Sequence, residues 1–278
     1  MRHLLPILLL GACVAVDEEP TGQLDQEVDQ SNGTSLNGTS LNGTSLNGTS
    51  LNGTSLNGTS LNGTSLNGTS TVGSTWTGTA SNGTSVKLRI DAAAQGTGTN
   101  TDIWFYKVSY QTSAGWSPLC GLDTSGVPIQ AIAVAGIWSG TANAYSPSTT
   151  KFTWACRLKT VAKCVELGYK TWKGYTNQMA SCVRMLRADY CGTGTSYTRD
   201  GQLLNVYDNV GVQADTEAWQ LEAGWTPSGA MCVSSAAFTR FSILGLATPP
   251  CFPSLQAKAC TFAGGALLLD ELSPTITK

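Results

Sequence analysis

The chain has 278 residues, with 16 Lys and Arg against 18 Asp and Glu and a single histidine, His3. A near-neutral balance with scattered bases excludes the electrostatic footprint of a nucleic-acid binder. Because the one histidine sits before the first apolar run, Ser-His-Asp and Cys-His catalysis and histidine-dependent zinc sites are excluded from everything downstream.

Arg2 and His3 precede an apolar run from Leu4 to Leu10, followed by Gly11, Ala12 and Cys13. That run falls well short of the roughly 20 residues that span a bilayer, so residues 1–12 are expected to be an export signal. Leu10-Gly11-Ala12-Cys13 resembles the bacterial lipobox, in which cleavage before the cysteine exposes a thiol for acylation. Cys13 is therefore the expected lipidation site and the expected link to a membrane. The alternative is an ordinary signal peptide that leaves Cys13 a free thiol. Val14 stands where many inner-membrane lipoproteins carry aspartate, so the expected address is the cell envelope, at the outer membrane or cell surface.

Between Asp17 and Asp29 there are six acids and no base. Residues 13–30 are thus expected to be an acidic disordered linker. From Ser31 to Ser70 the unit (S/L)-N-G-T-S occurs eight times, and degenerate copies carry the frame to Ser85. Residues 31–85 resemble a pentapeptide repeat, whose leucines would point into a short β-solenoid while Asn-Gly turns the corners. A flexible stalk fits equally, with an end-to-end distance of about 40 Å at roughly 5–6 Å times the square root of its length.

Residues 86–278 have the composition of a globular domain. VKLRI (86–90), DIWFYKVSY (102–110), VPIQAIAVAGIW (127–138) and KFTWACR (151–157) are β-branched, aromatic or alternating, and are expected to be strands. The period then changes. Val161, Cys164 and Val165 fall on one helical face, as do Met179, Cys182, Val183, Leu186 and Tyr190 on a second helix reaching to Tyr190. Thr160 and Thr176 are candidate N-caps and Gly192 a candidate stop. Further strands are expected at the end of TSYTRDGQLLNVYD, at AWQLEAGW and at MCVSSAAFTRF, while ALLLDEL suggests a short helix or edge packing. Strands, two helices, then strands imply an α+β fold, a disulfide-stabilised mixed domain with a central helix pair.

Eight cysteines remain after Cys13: Cys120, Cys156, Cys164, Cys182, Cys191, Cys232, Cys251 and Cys260. In an exported chain an even number implies four disulfides. Cys164 and Cys182, on the apolar faces of successive helices, are expected to bond to one another, and Cys251 with Cys260 to form a local clasp. Paired C-x-x-C spacing is absent, so no metal and no cofactor is expected.

Ala188-Asp189-Tyr190-Cys191, together with TWACRLKTVAKCVELGYKTWKG, SCVRMLRADYCGTGTSYTRDG, NVYD and VQADTEAW through LEAGWTPSGAMCV, resembles the ADYC domain family of exported bacterial proteins. The resemblance covers about residues 100–235. It implies no particular activity.

The residues with most chemical interest form a polar cluster in sequence: Asp189, Arg199, Asp200, Asp208, Asp215 and Glu217, with Glu222 close behind. Asp189 at the end of a helix would oppose the macrodipole, and a salt bridge to Arg184, Arg187 or Arg199 is the expected compensation. A pair of these carboxylates could serve glycoside hydrolysis. Ser148-Thr149-Thr150-Lys151 fits S-x-x-K but precedes a strand, and its partner motifs are missing. The reading that follows is a surface-anchored lipoprotein, more binding or structural module than enzyme, with an unknown protein or carbohydrate ligand; an extracytoplasmic hydrolase using paired carboxylates is the alternative.

Overall fold

The computed structural model describes residues 27–31, 71–80, 85–138, 145–146, 151–199, 202–256 and 258–274. Residues 1–12, Cys13, residues 32–70 of the repeat and Asp200 lie outside them.

The first half of the chain is a closed antiparallel sheet. Its strands are β1 (Glu27–Ser31), β2 (Thr75–Ala80), β3 (Ser85–Gln95), β4 (Trp104–Thr112), β5 (Gly115–Pro118) and β6 (Ala131–Ala135). A two-stranded ribbon, β7 (Ile137–Trp138) with β8 (Tyr145–Ser146), precedes β9 (Lys151–Cys156). Pairing runs β3–β2–β1–β9–β6–β4, and β4 returns to β3, so six strands close into a barrel; β5 pairs with the second half of β4. Closure removes the exposed edges that invite aggregation.

Strand periodicity sorts the side chains. Val86, Leu88 and Ile90 of β3 point into the barrel while Lys87 and Arg89 alternate with them. Trp76 on β2 also fills the interior, although its pentad continues the repeat. The barrel has little internal room, and register solves this by pairing small with large: Ala133 lies opposite Trp154 and Ala135 opposite Phe152. β6 and β9 are buried on both faces, because Ile132, Val134 and Ala155 join a second core outside the barrel.

That second core is covered by two helices and another sheet. α1 (Thr160–Glu166) packs on β9, and α2 (Thr176–Leu186) packs on α1 and the far sheet. Thr160 and Thr176 are first helical residues; the caps are Lys159 and Tyr175, without side-chain cap bonds. The far sheet contains β10 (Leu204–Asp208), β11 (Gln220–Thr226), β12 (Gly229–Val233) and β13 (Leu268–Leu272), ordered β10–β13–β11–β12 and wholly antiparallel. α3 (Arg240–Ile243) and α4 (Phe252–Leu255) are single turns.

The expected α+β fold is thus corrected: three antiparallel sheets make the body of the protein, and the four helices of the described residues span only 4 to 11 residues each. Two segments account for much of the difference. The segment containing Leu268–Leu272 is a central strand buried along its whole length, since both its edges are paired and both its faces covered. MCVSSAAFTRF leaves the sheet at Val233, where Ser-Ser-Ala-Ala breaks alternation, and ends in a 3-10 turn and α3.

Disulfides join Cys120 to Cys156, Cys164 to Cys182, Cys191 to Cys251 and Cys232 to Cys260. The bond between the two helices is the one expected. The Cys251–Cys260 clasp does not form, because the Cys251 end of α4 sits against the end of the ADYC segment while Cys260 meets β12. Four disulfides mark a chain that matures outside the reducing cytoplasm. No helix among the described residues is long and apolar enough to cross a membrane.

Candidate functional site

The ADYC segment begins where α2 stops. Asp189 N–H donates to Arg184 O and Ala188 N–H to Met185 O, each at 2.9 Å, which is a Schellman closure with Ala188 in the left-handed position at φ 49°. α1 closes in the same way through Gly168. The helix therefore ends at Leu186, earlier than Tyr190, and its terminator is Ala188 rather than Gly192. Asp189 lies beyond the last turn, and its charge is compensated by Arg184 of that turn.

Each motif residue then has an identifiable physical task. Asp189 is fully buried and ion-paired with Arg184 Nη1, and it accepts the Thr193 and Gly194 backbone N–H groups at 3.0 and 2.9 Å. Tyr190 donates its hydroxyl to Glu222 Oε1 and accepts the Arg240 backbone N–H at 3.1 Å. Cys191 is bonded to Cys251. Gly192, at φ 67°, passes so close to the β11–β12 turn that a Cβ would lie 1.9 Å from Ser228 O.

Behind Tyr190 lies a buried charged network. Arg240 donates Nε to Glu222 Oε2 at 2.8 Å and Nη2 to Asp270 Oδ2 at 3.0 Å, and Trp225 donates its indole N–H to Asp270 at 2.7 Å. Burial would lower the Arg240 guanidinium, but Glu222 and Asp270 more than offset that and raise it above the ordinary arginine value. Burial, then Glu222, push the Asp270 carboxyl well above the carboxylate range, with Arg240 opposing. Burial, then Glu222, likewise raise Tyr190.

The carboxylates singled out in the sequence do not converge on one cavity among the described residues. Asp208 closes a loop, accepting Val210, Val212 and Gln213 N–H groups and the Tyr169 hydroxyl. Asp215 is exposed and accepts Asn205 Nδ2 at 2.7 Å; Glu217 is exposed; Asp200 lies outside the described residues. No group of three or more His, Cys, Asp and Glu in the described residues could hold a metal ion.

Arg199 belongs to a different place. It lines a cavity of about 430 Å³ between the β9–α1 turn, the end of α2 and the loop into β10. The cavity is bordered by Arg157, Lys159, Lys163, Arg187, Arg199 and Arg240, and by no carboxylate among the described residues. Arg157 is held by Glu166 at 2.8 Å and stacks over Phe105. Lys159, Lys163, Arg187 and Arg199 form no ion pair with any described residue, and Arg240 Nη1 and Arg187 Nε are buried without a hydrogen-bond partner there. An unsatisfied buried donor of this kind costs about 1–3 kcal/mol. These cations come from separate segments between Arg157 and Arg240, so the sequence pattern groups only Arg199 with other polar residues.

An antiparallel, disulfide-linked domain in which a four-residue motif locks a helix end to a hairpin defines an extracytoplasmic β-rich class. The chain belongs to the ADYC domain family, whose model matches residues 68–239. Pentapeptide repeats match residues 32–69 in eight copies. No curated protein and no solved structure matches the chain.

Proposed function

We propose that this is an exported bacterial lipoprotein, anchored through acylated Cys13 at the outer membrane or cell surface, with a domain that binds a ligand rather than transforming one; the acidic segment leads into that domain through β1, and the repeat falls between β1 and β2. The observation that supports binding is the cavity: its titratable lining groups among the described residues are all cations, which can hold a ligand but offer no carboxylate pair for general acid and base. The hydrolase alternative is not favoured, because Asp189 and Glu222 are buried in ion pairs with Arg184 and Arg240. Disulfides on both halves of the domain suit an envelope address.

Anchoring is tested by metabolic labelling with an alkyne fatty acid in a bacterial host. The expected result is label on the full chain, and its loss with release from the membrane fraction in Cys13→Ala; label retained by that variant overturns the anchor.

A further inference from the structure

We propose that the cavity is a binding site for a phosphate-type oxyanion that carries an apolar group. The inference rests on the binding-module reading and names the ligand class for it. Four cations meet there without a carboxylate partner among the described residues: Lys159 from the N-cap of α1, Lys163 from its last turn, Arg187 from the end of α2, and Arg199 from the following loop. Their charges add in one concave place, where low-dielectric walls strengthen attraction for an anion.

The back wall supplies the second observation. Arg240 is only 1 % exposed, two of its three guanidinium nitrogens are held by Glu222 and Asp270, and the remaining Nη1 has no partner among the described residues. Arg187 Nε is in the same condition. The folded protein thus holds two buried, unsatisfied guanidinium donors in the wall beside two exposed lysines, and planar N–H donors suit the oxygens of phosphate or sulfate. Thr160, Ser196 and Thr198 line the cavity as well and can donate hydroxyls.

The apolar part of the ligand follows from the remaining lining. Ile129, Leu186 and Leu204 form a nonpolar wall, and Leu158 stands between Arg157 and Lys159 at 64 % exposure with φ 72°. A leucine in the left-handed region is strained, and strain kept in a cavity lip between two cations is the kind found at ligand clamps. The volume lies in the range of small-molecule sites, roughly 300–1,000 Å³.

The experiment is isothermal titration of inorganic phosphate, pyrophosphate and phenyl phosphate into the full chain carrying Cys13→Ala at low ionic strength, with orthophosphate release followed in the same samples. Phenyl phosphate is expected to bind more tightly than inorganic phosphate. Lys159→Glu with Lys163→Glu, exposed side chains with no polar contact to a described residue, is expected to weaken binding about tenfold or more, while the charge-matched Lys87→Glu with Lys258→Glu stays within about twofold. Absence of saturable binding by all three probes, or equal losses in the two variant pairs, overturns the site. Orthophosphate released from phenyl phosphate or pyrophosphate would instead support the anion site and overturn the non-catalytic reading on which it was built.

Discussion

Replacing Asp189 by Asn tests whether the motif acts as a structural lock. The carboxylate is fully buried and neutralises Arg184, whose side chain is also buried and is tethered through Nε to Pro227 O at 3.0 Å. The amide oxygen of Asn can still accept one of the two backbone N–H groups of Thr193 and Gly194, but Arg184 loses the buried ion pair with Asp189. Removing one partner of a buried pair costs about 3–5 kcal/mol. For a domain near 200 residues each kcal/mol moves the midpoint by about 2–4 °C, so Tm is expected to fall by roughly 6–20 °C. The assay is guanidinium and thermal unfolding of the oxidised protein by tryptophan fluorescence, Trp225 lying 5.3 Å from the Tyr190 ring. Adding Arg184→Met removes the other member of the pair, so the double variant should be less destabilised than the sum of the singles by about 1–3 kcal/mol. A loss under about 1 kcal/mol in Asp189→Asn, or strict additivity, would refute the lock.

The other expectations are simpler. Glu222→Gln should cost more than Asp270→Asn, by about 2 kcal/mol in denaturant midpoints converted to free energy, because Glu222 accepts three bonds from Tyr190 and Arg240 while burial already raises the Asp270 carboxyl; equal costs would contradict this. Tyr106 and Tyr190 have folded-state pKa values raised by burial above the ordinary value of 10.0. Their stability contribution is therefore intact below pH 10 and is lost as pH rises from there towards the folded values. Tyrosinate absorbance should show these two ionising only with unfolding, and reversible titration of all tyrosines in the folded state would contradict it. Gly192→Ala should destabilise by about 1–3 kcal/mol or prevent folding, since its Cβ meets Ser228 O in a backbone that cannot withdraw; unchanged thermal stability would mean the approach is looser than described. Leu158→Gly should raise stability by about 1 kcal/mol by relieving the left-handed leucine, checked by the same melts.

Local pattern carried far along this chain. The alternation of Val86, Leu88 and Ile90 and of Phe152, Trp154 and Cys156 put those residues on the inner face of strands, and 3.6-residue spacing put Cys164 opposite Cys182. The second helix ends earlier than its periodicity implies because the left-handed terminator is an alanine, and Ala188 carries no local sign of positive φ. Leu268–Leu272 carries no strand signal of its own, because a leucine run interrupted by Asp270 and Glu271 does not alternate, and its strand state comes from its two partners. The same α2 boundary leaves Asp189 past the end of the helix, where Arg184 and the Thr193 and Gly194 backbone N–H groups hold it.

The sequence by itself determined the even set of cysteines, the repeat, the strand faces, the two helical segments and membership cues in Ala188-Asp189-Tyr190-Cys191. Tertiary structure alone decided which cysteines meet, that Arg240 shares Glu222 and Asp270 across 18 and 30 residues, and that Lys159, Arg187, Arg199 and Arg240 line one cavity. The physical reason is that periodicity is a property of a few neighbouring residues and fixes which face is buried. Which strand or charge lies opposite that face depends on sheet order, and here β13, the last strand in the described chain, enters between β10 and β11 and brings Asp270 to Arg240.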